Sequence, residues 1–233
     1  MAVNIDTVYQ RVLALANKEQ RGYITPQEFN LFANHAQMEI FEQYFYDTNR
    51  SRKIPGNNTV YADVSDMLEE KIQIFERSDD QITIAAYNGG INKTLPNYIY
   101  RVNKVLFNNT NCEMLNTKDF SDINAGGPLT KPKKSRPIVN IRDNTIRCLT
   151  SEEVTPTEII YFKVPKKVQW AYVVVNEKAL YNPNISVNFE LHRSEETELV
   201  YKILKQAGIN IKSQEVVQVA QTLDTAQIQQ EKQ

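Results

Sequence analysis

The chain has 233 residues, 41% of them hydrophobic, which is enough for one large or two small packed domains. Its 27 basic and 28 acidic residues give a net charge of -1, which excludes an overall basic field for nucleic-acid binding and a strongly acidic tail. No apolar run approaches the roughly 20 residues of a membrane span, and residues 1 to 20 show a charged amphipathic pattern, unlike a signal peptide. We expect a globular protein that recognises its partners through local surfaces.

The first two predicted elements are helices joined by a short turn. Residues 5 to 18 place apolar side chains at helical spacing on a single face, and Gly22 can end this helix. Thr25 can then cap a new first turn and Glu28 can complete a capping box, so a second helix is predicted to begin there. The two helices should form an antiparallel hairpin.

The second predicted helix differs from the first because it carries apolar side chains on two faces. One stripe, at helical spacing, consists of Phe29, Phe32, Ala33, Ala36, Ile40 and Tyr44. A second stripe lies roughly 150° around the helix, at about 100° per residue. It consists of Leu31, Met38, Phe41 and Phe45. Such a helix is either central to a bundle or contacts a neighbouring subunit, and we predict the second stripe to be a subunit interface.

A change in sequence period separates a helical first part from a β-rich part. Residues 47 to 59 are polar and predict a surface loop, and the acidic residues 60 to 80 are interpreted as a helix with solvated charges. Segments rich in Ile, Val, Tyr and Phe then predict strands at residues 81–87, 98–108, 137–142, 145–150, 158–164, 170–176 and 185–191. Asp143 and Asn144 predict a tight hairpin turn with left-handed backbone.

Together these elements predict an α+β fold, with a small helical bundle, an antiparallel β-sandwich or barrel and an extended C-terminal tail. The predicted parts are residues 1–80 for the bundle, 81–193 for the β part, 194–208 for a helix returning to the bundle, and 209–233 for the tail. Ser194 is predicted to cap the returning helix, and Gly208 is predicted to end it.

The predicted tail is rich in Gln and has a thin apolar stripe. The stripe consists of Val216, Val217, Ala220, Leu223 and Ile228. These side chains are too sparse to hold the segment firmly on its own domain. The segment is either a frayed terminus or a peptide that becomes helical in a groove of another protein, and we predict that the stripe binds the partner.

The connection between residues 116 and 136 is longer than an ordinary hairpin loop, which makes it a candidate functional loop. Its basic run consists of Lys131, Lys133, Lys134 and Arg136. These positive charges can contact DNA phosphates or an acidic partner. The competing interpretation is a solvated loop, because no aromatic residues alternate with the charges as they do in single-strand binding surfaces.

Residue types that carry catalysis are present, but their spacing predicts no catalytic site. His35 and His192 are the two histidines, and they lie in different predicted elements. Neither Cys112 nor Cys148 is near a histidine in sequence, and no Gly-rich loop leads into a phosphate-binding helix. We expect a non-enzymatic protein without a metal or cofactor. Two reduced thiols are the first interpretation of the cysteines, and a disulfide is the alternative.

Three parts of the chain resemble structural proteins of tailed phages. They are Arg21 to Asn30 (RGYITPQEFN) with the aromatic-rich helix that follows, Phe189 to Leu191 before the helix that begins near Ser194, and the Gln-rich tail. The sequence most resembles the ring proteins of crAss-like and other short-tailed phages that join the portal to the tail. The resemblance implies a head-to-tail adaptor in the virion, made in the cytoplasm of the infected bacterial host.

The resemblance also implies a set of partners. These are further copies of the chain in a dodecameric ring, the phage portal protein, neighbouring ring proteins of the tail and, by non-specific contact, the packaged DNA that passes through the ring; no membrane is implied. One alternative is another ring of the tail that does not touch the portal. A second alternative, from a different class, is a small soluble binding or regulatory module that contacts nucleic acid through the basic loop.

Overall fold

The computed structural model describes most of the chain, and it divides the chain into two compact units. The described residues are 2–18, 24–51, 59–79, 91–107, 110–127, 129–149, 157–210, 222, 225 and 226. One unit, here named the helical unit, consists of Met1–Ile74 and Pro165–Gln233, and the other, the β unit, consists of Phe75–Val164. Helices and strands are mixed in the chain, which confirms the predicted α+β class.

The described parts of the chain contain five α-helices and ten strands. The helices are α1 (Ile5–Lys18), α2 (Pro26–Ser51), α3 (Thr59–Gln73), α4 (Thr117–Ala125) and α5 (Glu196–Asn210), and a 3-10 turn at Arg193–Glu195 precedes α5. The strands are β1 (Glu76–Asp79), β2 (Ile91–Thr94), β3 (Ile99–Phe107), β4 (Thr110–Asn111), β5 (Glu113–Met114), β6 (Ile138–Arg142), β7 (Thr145–Leu149), β8 (Thr157–Lys163), β9 (Tyr172–Val175) and β10 (Lys178–Tyr181). Among the described helices, none has both the length and the hydropathy needed to cross a membrane.

The start of α2 shows the predicted capping box. The backbone N–H of Thr25 donates to Glu28 Oε2 over 3.0 Å, and the Thr25 hydroxyl accepts from the Glu28 backbone N–H over 3.3 Å. Downstream, α2 packs against both α3 and α5, and α5 also packs against α1. The first apolar stripe of α2 is consequently buried in the helical unit, except for Phe32, which is half-buried.

Four predicted boundaries differ from those in the structure. The predicted helix at residues 60–80 ends at Gln73, because Glu76–Asp79 pair with β8 as strand β1. The helix α2 continues to Ser51, into the predicted loop at residues 47–59, and the Thr48 hydroxyl donates to the Tyr44 carbonyl within it. The predicted loop at residues 116–136 contains α4, because Asn116 Oδ1 caps its first turn by accepting from Asp119 N–H over 2.9 Å. Finally, α5 passes Gly208, which is buried within the helix, because the packed face of α5 extends to this last turn.

The β unit contains two four-stranded sheets. Their strand orders are β1-β8-β3-β4 and β2-β7-β6-β5, and the pairing is antiparallel except between β5 and β6. Asp143 and Asn144 join β6 to β7 with φ angles of 50° and 57°, which confirms the predicted left-handed turn. One apolar cluster draws side chains from both sheets, including Val105 and Val139.

Two other predictions about the β structure differ from what the structure shows. The described strands form two four-stranded sheets and one two-stranded sheet, and none of them closes into a barrel, so the barrel prediction is wrong, and the sandwich stays a prediction. The predicted strand at residues 185–191 is not a continuous strand in the structure. It pairs only through two isolated bridges, Val187 with Gln169 and Phe189 with Val3. The predicted strand at residues 81–87 lies outside the described residues.

The division into units also differs from the predicted boundaries at residues 80 and 193. Residues 165–193 belong to the helical unit, although their composition is typical of strands. The reason is that the two ends of this segment bury large apolar side chains, at Val168 and Trp170 and at Phe189 and Leu191. Trp170 contacts Tyr9 of α1, and Phe189 forms a bridge to Val3 just before α1.

Polar side chains of α2 hold the extended segment at residues 166–170 in place. Asn30 accepts from Trp170 N–H over 2.7 Å and donates to the Trp170 carbonyl over 3.2 Å. Asn34 makes the same pair of bonds with Val168, both at 2.9 Å, and Gln37 donates to the Lys166 carbonyl over 2.8 Å. We call these three α2 side chains the amide ladder, because they pair with the backbone as a neighbouring strand would.

Candidate interaction surface of the helical unit

Among the described residues of the helical unit, four exposed aliphatic side chains lie together on a β-hairpin. Strands β9 and β10 pair only with each other among the described strands. Asn176 and Glu177 form the turn with φ angles of 48° and 63°, as a two-residue turn of the primed type requires. The sequence pattern predicted β9 but missed β10, and the Asn at position 176 was the available signal for a turn.

The hairpin exposes aliphatic side chains on both faces. Each of four residues, Val173, Val174, Val175 and Leu180, has between 46% and 64% of its surface exposed. Val173 is the cross-strand partner of Leu180, and Val175 shares their face because strand side chains alternate. We call Val173, Val175 and Leu180 the valine face. An isolated two-stranded hairpin is marginally stable in water, and exposed apolar strands are typical of contact sites.

The root of the hairpin is fixed to α1 by aromatic packing. Trp170 stacks on Tyr172 and on Tyr181, both at 5.7 Å between ring centroids, and these two tyrosines are cross-strand partners. The Tyr9 ring centroid lies 4.3 Å from that of Trp170, and Trp170 Nε1–H donates to Asp6 Oδ1 over 2.9 Å. The hairpin therefore projects from a rigid base.

A groove of about 620 Å³ lies between α1 and β10. It is lined by Tyr9, Gln10, Leu13, Trp170, Glu177, Lys178, Ala179, Leu180 and Tyr181. The lining is polar and apolar in about equal parts, because Tyr9 and Trp170 are buried and Gln10, Glu177 and Lys178 contribute polar and charged groups. Leu180 of the valine face is also one of the residues that line this groove.

The predicted subunit interface on α2 is not one exposed patch. Phe41 is fully buried, with its ring 5.1 Å from that of Phe45, so the prediction that Phe41 contacts another subunit is wrong. Leu31 is 71% exposed, whereas Met38 and Phe45 are half-buried. The reason is that α2 is covered by neighbouring helices of its own unit along much of its length. Of the four residues, only Leu31 is exposed enough to contact another subunit without a change in the fold.

The predicted basic loop lies in the β unit. Lys131, Lys133, Lys134 and Arg136 are all exposed. A bridge between Lys133 and Arg136 makes the run a tight turn, and the Arg136 guanidinium pairs with Glu113 over 2.8 Å. The structure therefore presents three lysine side chains at this turn, with the arginine charge offset by a carboxylate.

The helical unit also contains a network of charges that is buried except at the exposed Glu39. Lys71 Nζ lies 2.7 Å from Glu195 Oε1, and Lys202 Nζ lies 3.0 Å from Glu39 and 3.4 Å from Glu198. Burial alone would raise the pKa of Glu195, but the Lys71 ammonium and the hydrogen bonds from Lys71 and Ser194 hold that pKa below its usual range. The network joins α3 and α2 to α5 and to the turn before it.

The histidines and cysteines have structural surroundings. His192, not the predicted Ser194, caps the turn before α5, because its Nδ1 accepts from Ser194 N–H; His35 is exposed on α2. Cys112 and Cys148 are buried free thiols, as the first interpretation predicted. Burial raises the pKa of Cys112 to about 12 and also raises that of Cys148. Among the described residues, no cluster of three His, Cys, Asp or Glu side chains could hold a metal ion.

The predicted portal-binding stripe lies in a part of the chain that the structure does not describe. All five of its residues are in this part, namely Val216, Val217, Ala220, Leu223 and Ile228. No protein family model matches the chain, and no curated protein matches its sequence. Functional proposals for this chain consequently depend on the geometry of its surfaces and on the resemblance in its sequence.

Proposed function

We propose that the protein is a non-enzymatic structural protein of a phage virion, a ring-forming head-to-tail adaptor that binds the portal and joins it to the tail. The observation that carries this proposal is the projecting hairpin of the helical unit, which exposes Val173, Val174, Val175 and Leu180 together. An apolar surface on a rigid base suits a subunit whose contacts are completed by neighbours in an assembly.

A ring also fits the weak predicted contacts of the chain. Head-to-tail contacts are heterologous, and they close into a ring when the rotation between subunits allows it. A sparse C-terminal stripe that binds weakly in one copy gains avidity when it is repeated around a ring facing the portal. DNA would pass through such a ring without being read.

The mass of the full-length protein tests this proposal. Light scattering should show a low-mass species or a ring for the protein alone, and a multi-copy complex when the portal protein of the same phage is added. A variant with Val173→Thr and Val175→Thr keeps strand propensity but lowers the apolar exposure, so it should assemble less. A single-copy mass with and without portal, at high protein concentration, would refute the proposal.

Portal attachment through the tail can be tested separately. Deletion of residues 213–233 should leave the folded units intact and abolish stable attachment to the portal. Circular dichroism would check the fold, and co-sedimentation with portal would measure attachment. Undiminished co-sedimentation of the truncated protein would contradict the tail assignment. If the full chain instead co-sediments with purified tail ring proteins and not with portal, the alternative position lower in the tail is favoured.

A second candidate function is nucleic-acid contact through the β unit. Residues 91–147 contain ten Lys or Arg and four Asp or Glu, although the whole chain is nearly neutral. This local excess includes the exposed Lys131, Lys133 and Lys134. Tight DNA binding by the isolated protein that weakens steeply with salt would favour this function. Changing the three lysines to Gln should then weaken binding to all sequences alike.

A further inference from the structure

We propose that four hydrogen-bonded side chains at the turn before α5 form a pH-sensitive switch, in which His192 exchanges one hydrogen-bond partner for another when it gains a proton. The contacts run from His192 through Ser194 and Glu195 to Lys71 of α3. The outer end is a half-buried ring and the inner end is a buried ion pair, so the four side chains connect the surface with the interior of the helical unit. The switch is independent of the assembly proposed above.

In its neutral state, His192 closes the turn that leads into α5. Its Nδ1 accepts from Ser194 N–H over 3.3 Å, and only an imidazole without a proton on that nitrogen can accept there. The side chains that usually cap the start of a helix are Ser, Thr, Asp and Asn, and none of them loses its acceptor near neutral pH. Histidine is the side chain that ordinarily changes charge between pH 5 and 8, so a histidine cap depends on pH.

The same geometry offers the protonated ring a second partner. Ser194 Oγ lies 2.9 Å from His192 Nδ1, nearer than the Ser194 nitrogen, and it also lies 3.0 Å from Glu195 Oε1. When Nδ1 carries a proton it is a donor, so it releases the Ser194 N–H and donates to the Ser194 hydroxyl. The single hydroxyl proton is then committed to Glu195. The result is a relay from an imidazolium to a carboxylate, and such charge-assisted bonds are stronger than neutral ones.

The carboxylate at the inner end of the relay is held in its charged form. Glu195 Oε1 accepts from Ser194 and also lies 2.7 Å from Lys71 Nζ, so two donors meet on one buried oxygen. Although burial acts in the opposite direction, Lys71 and Ser194 hold the pKa of Glu195 below its usual range, so it stays ionised where a histidine titrates. Other charged groups on the elements packed around this turn form ion pairs of their own, namely Lys202 with Glu39 and Glu198, and Arg11 with Glu196.

Nuclear magnetic resonance of the full-length protein, labelled with 15N and 13C, tests the switch between pH 8 and pH 5. The Ser194 amide proton should move upfield in one step as the His192 ring gains its proton, because the amide loses its acceptor. The Glu195 carboxyl carbon should show a smaller step at the same pH, because the relay commits a donor to it. His35 is exposed on α2, so its titration in the same spectra is the reference.

Two variants assign these steps to their groups. His192→Asn keeps a side-chain acceptor for the Ser194 amide but cannot titrate, so the amide step should vanish. His192→Ser serves the same purpose if the first variant has lost the circular dichroism signal of the folded protein. Ser194→Ala keeps the backbone amide and removes the hydroxyl, so the amide at this position should still titrate while the step at Glu195 is lost. His35→Gln is the matched control and should leave both steps unchanged.

Three results would overturn the switch. One is a Ser194 amide that stays unchanged from pH 8 to pH 5, whether or not the His192 ring titrates, since the ring would then not exchange its partner. Another is an amide step that persists in both His192→Asn and His192→Ser, because a different group would be responsible. The third is a Glu195 step that survives in Ser194→Ala, because the hydroxyl would then carry no relay. None of these results concerns assembly or portal binding, so the proposed function would stand.

Discussion

The amide ladder of α2 gives the sharpest test of how the helical unit holds its extended segment. Asn34 is central, because it accepts from Val168 N–H and donates to the Val168 carbonyl, both over 2.9 Å. Val168 is buried, so its backbone groups would have little access to water without this side chain. Asn34→Ala therefore removes these two hydrogen bonds, together with a third from its Nδ2 to the Asn30 carbonyl over 2.7 Å, and leaves the backbone N–H and carbonyl of Val168 without partners.

The expected cost follows from the number of groups affected. Leaving one buried donor or acceptor unsatisfied costs about 1 to 3 kcal/mol, so Asn34→Ala should lower the free energy of unfolding by about 3 kcal/mol. In a chain of this size that corresponds to a fall in melting temperature of roughly 6 to 12 °C. Asn49→Ala is the matched control, because Asn49 is an exposed asparagine of the same helix. It should change stability by less than about 0.5 kcal/mol.

Urea unfolding followed by tryptophan fluorescence measures this effect in the relevant unit. Trp170 is the only tryptophan of the chain, and it lies two residues beyond Val168 in the same extended segment. The urea midpoint should fall for Asn34→Ala and stay near wild type for Asn49→Ala. Equal midpoints for Asn34→Ala and wild type would show that water replaces the ladder at no cost, and the reasoning would fail.

Three further predictions concern other contacts. Lys71→Met leaves the buried Glu195 carboxylate without its ion-pair partner and should cost about 3 kcal/mol in urea unfolding. Because Lys71 lowers the folded-state pKa of Glu195, the stability that this pair gives the wild type should be complete above about pH 4.3 and be lost as the pH falls further. If the difference in unfolding free energy between wild type and Lys71→Met were the same at pH 3 as at pH 7, this reasoning would be contradicted. Asp6→Ala removes the acceptor of Trp170 Nε1–H and should cost about 1 kcal/mol with a shifted Trp170 emission, whereas an unchanged spectrum would count against the bond. Cys112 should react with a thiol reagent at pH 8 only after unfolding, and rapid labelling of the folded protein would disprove its burial.

The features that could be predicted from sequence are those set by a few neighbouring residues. The capping box of Thr25 and Glu28 and the left-handed turn at Asp143 and Asn144 depend on local hydrogen bonds and backbone preferences. The amide ladder could not be found this way. Its asparagines look like the polar face of an amphipathic helix, and only the folded chain places an extended segment beside them.

The candidate surface shows the same limit. Val173, Val174 and Val175 predicted a strand, but sequence alone could not show that they stay exposed, because three consecutive valines are typical of a buried strand. The groove joins residues of α1 to residues more than 150 positions later, and no local pattern links them. Phe41 illustrates the opposite error, since its helical spacing cannot distinguish a neighbouring helix from a neighbouring subunit.

The β unit is an insertion within the helical unit, and this has a consequence for the order of folding. Its entry strand β1 and exit strand β8 are antiparallel neighbours, with Glu76 opposite Phe162, so the two ends of the insertion leave it side by side. If the insertion were unfolded, joining the two halves of the helical unit would close a loop of about 90 residues, which costs about 3 kcal/mol more than a four-residue turn. A β unit that folds first has already closed this loop, so it acts as a short connection between the two halves of the helical unit.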